Sequence, residues 1–287
     1  ENTWSQIWGR PSGGVNPMRY GAISLILAAI SLNGVLVVRY KAVWLKIMLG
    51  MAVLLGFVAC FLAQSRSSLF AIPILAFAYG VYLYRAGHPR FLMVLAVGVV
   101  LLVVGLSQDS RVQKTFLSLE SYQQGNSSSS LGGRFDMFEA AVILIKQNPV
   151  WGHGLASYLK KGKEVRKAYP DLNPLVGAVS NPHNEILLVM VEKGIIGLFA
   201  MLLLFVVPGY LFYKALYSSS QEVKFYAVSG LCLLIVYAVV GQSVALFQHD
   251  VFNHFFTLMV LLFASQIRVI GFVQDRVGGE RRLLGFK

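Results

Sequence analysis

One imidazole, His183, lies in Ser180-Asn181-Pro182-His183-Asn184-Glu185, after a long polar stretch and just ahead of an apolar run that opens at Gly194. A histidine there meets water and can gain or lose a proton near neutral pH at a membrane surface. In its neutral form it can take a proton from a hydroxyl, a task worth roughly 10²–10⁴ in rate. The simpler reading is a histidine that caps the helix or anchors it at the interface. Asn184 and Glu185 fall in the first turn of the same helix, where a carboxylate also suits the helix dipole.

Two arginines have types and neighbours suited to phosphate. Arg66, in Gln64-Ser65-Arg66-Ser67-Ser68, is the single charged residue between the second and third apolar runs, at a helix start and among small hydroxyls. A guanidinium in that setting matches phosphate oxygens; otherwise it is an arginine that ends a span by snorkelling. Arg134 follows Gly132-Gly133 at the start of an amphipathic pattern, where glycines allow a ligand to approach the backbone. A solvated arginine is the alternative.

The remaining histidines carry weaker signals. His88 reads as a solvated turn residue, and the glycines around His153 in Trp151-Gly152-His153-Gly154 are explained by a tight turn. His249, Asp250 and His254 cluster at the outer end of the last span, where they line a cavity or mark the interface. Their spacing is a poor metal pattern, and no metal or cofactor is expected. No phosphate-binding glycine loop is present, so the energy for any reaction must come from the substrate.

These residues are set in a chain whose composition excludes a soluble globular protein. Of its 287 residues 56% are hydrophobic and 13% charged, and the mean hydropathy is +0.64. Apolar runs of the length that crosses a bilayer recur at 19–38, 44–63, 67–84, 91–107, 194–213, 223–246 and 251–271, predicting about seven transmembrane helices and an all-α polytopic fold. The net charge of +12 is read as span-flanking basic residues rather than a nucleic-acid footprint. Lys and Arg in Arg39–Lys46, Arg85–Arg90, Lys214–Lys224 and Arg268–Lys287 fall on one side if the spans alternate; taking that side as cytoplasmic leaves Arg66, 108–193 and His249 outside. No Asp or Glu lies mid-span, which argues against a proton-coupled transporter. Cys60 and Cys232 lie within spans and suggest no disulfide framework. The chain opens on Glu1 with a stretch that reads as an external loop, the expectation for a C-terminal piece of a longer protein.

The predicted organisation is a membrane bundle of four spans with an outer loop (1–107), an external segment (108–193), a bundle of three spans (194–271) and a basic tail (272–287). Within the external segment, Gln123–Gly133 reads as a flexible linker and Phe135–Gln147 as a helix with Phe135, Phe138, Val142 and Ile145 on its apolar face. Asn148-Pro149 stops that helix, and Leu155–Tyr169 predicts a second, basic helix near the membrane surface.

The chain resembles the O-antigen ligase family, whose C-terminal region is shared with O-antigen polymerases and protein O-oligosaccharyltransferases. The resemblance rests on His183 through Gly194 (His, ten residues, Gly), on Gln64-Ser65-Arg66-Ser67-Ser68-Leu69, on Gly133-Arg134 through Asn148-Pro149-Val150-Trp151-Gly152-His153-Gly154, and on Gly13-Gly14-Val15-Asn16-Pro17. It departs from the often described Arg, three residues, Leu pattern, since Leu69 and Phe70 follow Arg66. The resemblance implies a bacterial inner-membrane enzyme with a large periplasmic loop. It gives Arg66 and Arg134 the diphosphate of an undecaprenyl-diphosphate-linked glycan, and His183 the proton of an acceptor hydroxyl on lipid A–core. Asn184, Glu185 and His249 are supporting candidates. The implied reaction is a metal-independent inverting transfer. Polymerase and protein-transferase acceptors stay open, and from other classes a lipid-linked glycan transporter or a membrane scaffold.

Overall fold

The computed structural model describes residues 17–38, 42–63, 65–85, 98 and 130–283. Among the described residues every regular element is helical: α1 (Pro17–Val37), α2 (Val43–Leu62), α3 (Arg66–Arg85), α4 (Ser130–Gln147), α5 (Tyr158–Ala168), α6 (Glu185–Ala215), α7 (Gln221–Val240) and α8 (Asp250–Leu283). Six of these, α1 to α3 and α6 to α8, are long and apolar enough to cross a membrane. They match six of the seven expected spans; the run 91–107, the residue His88 and most of the linker 123–133 lie outside the described residues. The described end of that linker is helical, because Gly132 and Gly133 are buried in the first turn of α4 rather than solvated.

The chain divides into two compact units. One holds the described parts of 70–202 with 239–246; the other holds those of 10–69, 203–238 and 247–287.

In the first unit, α4 and α5 build a small core with the start of α6. Met137, Ala140, Ala141 and Leu144 recur at helical spacing and are buried with Tyr158, Val165, Leu188 and Val191. Fully burying Met137, Leu144 or Leu188 is worth roughly 1.5–3 kcal/mol each. This corrects the expected apolar face: Val142 is exposed, and Phe135, Phe138 and Ile145 are half-buried. Two stripes of α4 satisfy the helical period. The one rich in alanine lets neighbours approach closely, and the Tyr158 hydroxyl reaches across to donate to the Met137 carbonyl at 3.1 Å. The run after α5 is a series of turns rather than extended chain, and Asp136 pins it, its carboxylate accepting the Asn173 backbone N–H at 2.9 Å. Gly177, at φ +79, packs its backbone on Gly162 and Lys163. The chain is thereby delivered to His183 by fixed contacts.

In the second unit the helices pack through small residues and isolated polar pairs, as helices in lipid do. A Cβ on Gly56 of α2 would lie 2.8 Å from the Ala28 side chain of α1, so these two helices approach at glycine distance. Buried Asn33 of α1 donates to the Ser229 hydroxyl of α7 at 3.0 Å. Tyr237 of α7 donates to the Phe252 carbonyl of α8 at 2.7 Å, within an aromatic cluster that includes Phe247 and Phe256. Helix α2 buries only Cys60 and exposes a series of large apolar side chains, among them Met48, Leu54 and Phe61, the surface a lipid-facing helix requires. Helix α8 continues past the expected end of its span to Leu283, so most of the basic tail has a helical backbone.

Candidate active site

Helix α6 is broken where the sequence places the start of a span. Gly194 adopts φ 62, ψ −159, a conformation costly for any residue with a Cβ. The break removes a rung of the helix, and the turn after α4 replaces it. Ile195 N–H donates to the Pro149 carbonyl at 2.9 Å, while the freed Val191 and Glu192 carbonyls accept from His153 N–H at 2.8 Å and Gly154 N–H at 2.9 Å. Three backbone groups at the break thus find partners in the turn, as irregular backbone in an apolar setting requires. The fit is tight: a Cβ on Gly194 would lie 2.1 Å from the Val150 carbonyl oxygen, and one on Gly152 2.5 Å from the Glu192 backbone. The His153 ring donates to the Leu144 carbonyl at 2.8 Å, so this imidazole holds the turn to α4.

The other end of this half-helix carries His183. Asn181 accepts the His183 backbone N–H on its side-chain oxygen at 3.0 Å, an Asx turn closed around Pro182. Past that turn His183 stands at φ 55, left-handed for a residue with a side chain. Such a conformation costs on the order of 1–3 kcal/mol and persists where the surroundings impose it, commonly at functional sites. Asn184 caps α6, accepting Leu187 N–H at 3.0 Å. Its amide also donates to the Gln242 side-chain oxygen at 3.3 Å, and Glu185 N–H donates to the Gly241 carbonyl at 2.8 Å. The segment 241–242 thus clamps the entrance of α6.

The electrostatics follow from this placement. Burial holds the His183 imidazole below its ordinary pKa, and the positive charge of Arg134 lowers it further. The free side chain titrates near about 6.5, so in the folded protein it is neutral at physiological pH and available as a base. Arg134 stands one turn inside α4, half-buried. Arg134 and His183 therefore lie within electrostatic reach of each other, though they stand 49 positions apart in sequence (183 minus 134). Glu185, two residues after His183, is buried in the first turn of α6.

Arg66 belongs to the second unit. Ser65 caps the start of α3, its hydroxyl accepting Ser68 N–H at 3.4 Å and lying 3.2 Å from the Ser67 hydroxyl. Arg66 is thus the first residue of a capped helix, as expected. His249 is in the same unit and hydrogen-bonds Arg19. Arg19 was not among the expected residues. The signal that singled out Arg66, a cation at the outer end of a span, was present for Arg19 as well.

Comparison with known proteins decides the family. The O-antigen ligase family model matches residues 51–202, just over half of the chain and inclusive of Arg66, Arg134 and His183. The chain belongs to the O-antigen ligase family. The chain is 25% identical over 162 residues to an Escherichia coli K12 protein named O-antigen ligase, covering 53% of this chain and 38% of that protein. It is also 25% identical over 258 residues to a Haemophilus influenzae protein described as uncharacterized, covering 86% of this chain and 63% of that one. The chain thus spans less than two thirds of the length of either relative. Membership and the six apolar helices together make it a multi-pass membrane protein.

Proposed function

We propose that this family member is an inverting glycosyltransferase that moves O-antigen glycan from undecaprenyl diphosphate to lipid A–core at the periplasmic face of the bacterial inner membrane. The observation that carries the reading is His183: strained, half-buried and held neutral beside Arg134 at the capped mouth of an apolar helix. A neutral imidazole there takes the proton of an acceptor sugar hydroxyl, and the hydroxyl oxygen attacks the anomeric carbon of the donor glycan. The bond from that carbon to the diphosphate oxygen breaks, the configuration inverts, and undecaprenyl diphosphate leaves with the electron pair. Two guanidiniums, Arg134 and Arg66, are suited to the charge that develops on the leaving diphosphate. With that compensation the displacement requires no metal. The basic face of α5, with Lys160, Lys163 and Lys167 exposed, suits the phosphates of a lipid A–core acceptor.

The test supplies the purified full-length protein with undecaprenyl-diphosphate-linked glycan and lipid A–core in the presence of EDTA. Glycan is expected on lipid A–core, with a loss of roughly 10²–10⁴ in rate for His183→Ala at unchanged folding. Near-normal transfer by that variant removes His183 as the base. Lengthening of the glycan on its carrier makes the protein a polymerase, and transfer to protein hydroxyls a protein O-oligosaccharyltransferase.

A further inference from the structure

The second unit contains an arginine–histidine pair that the reaction above leaves without a task. Arg19, in the first turn of α1, donates through Nη2 to Nε2 of His249, which immediately precedes α8. An arginine has no acceptor, so this bond fixes the tautomer: Nε2 accepts, and the proton of the neutral ring is on Nδ1. One buried donor of the pair therefore stands unspent: Arg19 Nε has no hydrogen-bond partner among the described residues.

Among the described residues Asp250 is the carboxylate that acts on His249; it is exposed, and its influence is smaller than the opposing influence of Arg19. Burial and Arg19 together keep the His249 ring neutral, so it offers a donor without adding a second full charge. The same corner of the unit includes the start of α3. The Ser68 hydroxyl donates to the Met18 carbonyl at 3.4 Å, and a Cβ on Gly21 would lie 3.1 Å from that hydroxyl. Gly21 thus lets the helix that opens with Arg66 close on the first turn of α1. Two helix starts and the Arg19–His249 pair gather at one end of the unit, and an anion with several oxygens suits such a set of donors.

We propose that Arg19 and His249 form a phosphate-binding pair that takes one phosphate of the lipid-linked diphosphate donor, Arg19 contacting the oxygens and His249 orienting the guanidinium. The proposal rests on the donor assigned above. It adds to the diphosphate contacts proposed for Arg66 a residue of the same unit that precedes it in the chain.

The test measures equilibrium binding of farnesyl diphosphate to the full-length protein in phosphatidylcholine nanodiscs. Arg19→Gln is expected to weaken binding roughly ten- to hundredfold. Arg19→Lys, which keeps the charge but loses the planar fork, is expected to weaken it about fivefold. Wild-type affinity in either folded variant overturns the proposal. Loss of the Arg19-dependent binding on exchanging the disc lipid for phosphatidylglycerol overturns it in favour of a lipid-headgroup site. The binding readout does not depend on glycosyl transfer. Arg19-sensitive binding without transfer to any acceptor leaves the pair standing and sinks the transferase reading. His183-dependent transfer with Arg19-insensitive binding does the reverse.

Discussion

The region around His183 and the α1–α2 pair answer opposite physical demands. Between α4 and α6 the chain is long and irregular, and side chains anchor its backbone: Asp136 on Asn173 N–H, Asn181 on His183 N–H, the His153 ring on the Leu144 carbonyl. Between α1 and α2 the backbone satisfies itself within helices, and the contact is a matter of glycine-sized clearance at Gly56 and Ala28. The first arrangement can impose a left-handed histidine and shift its pKa. The second supplies stable packing and little that discriminates one protonation state from another. The strained histidine with the shifted pKa stands where polar anchoring overrides local backbone preference.

The break at Gly194 is the most sensitive point in that contrast. Gly194→Ala is expected to cost at least about 2 kcal/mol, because it adds left-handed strain to an overlap with the Val150 carbonyl. A large fall in melting temperature and loss of transfer should accompany it. Gly154→Ala provides the control: φ is +95, but a Cβ there meets nothing within 4 Å. Only strain of about 1 kcal/mol is expected, and equal melting temperatures for the two variants would refute the account of the break.

A smaller effect probes the electrostatics. With His183 as the proposed base, transfer needs its neutral form, and the rate is expected to fall as pH drops through its folded pKa, which lies below the usual imidazole value. The acid limb of kcat/KM is expected below about pH 6.5. Arg134→Gln should move that limb upward without restoring the full ordinary value, since burial is the larger cause. An unmoved limb would separate Arg134 from His183. The same depression sets the sign for stability. His183 binds a proton more readily unfolded than folded, so its contribution is full above the unfolded pKa and is lost as pH falls below it.

The smallest effect is expected in the helix-packed region. Asn33→Ala removes the buried bond to Ser229 and should cost about 0.6–1.7 kcal/mol, the range found for hydrogen bonds between helices in lipid. Transfer by the folded variant should be unchanged. A loss comparable to Gly194→Ala would mean that the two regions are not differently built.

The all-helical class, six of the spans and the position of His183 at a span entrance were legible in the residues alone. Their cause is local: uninterrupted apolar runs must satisfy their backbone as helices, and a Gly or a capped Asn marks where a run begins. The buried face of α4 was not legible, because Phe135/Phe138 and Met137/Ala141 both fit the helical period and only the partners of the helix select between them. Nor was the Arg19–His249 pair, whose members are 230 residues apart, or the clamp of Asn184 by Gln242. Local sequence determined that this protein has helices, spans, caps and a histidine at a boundary. Which charges lower that histidine's pKa, which turn repairs the break at Gly194 and which arginine meets His249 were decided by the tertiary structure, because each depends on groups distant in the chain being brought within a few ångströms.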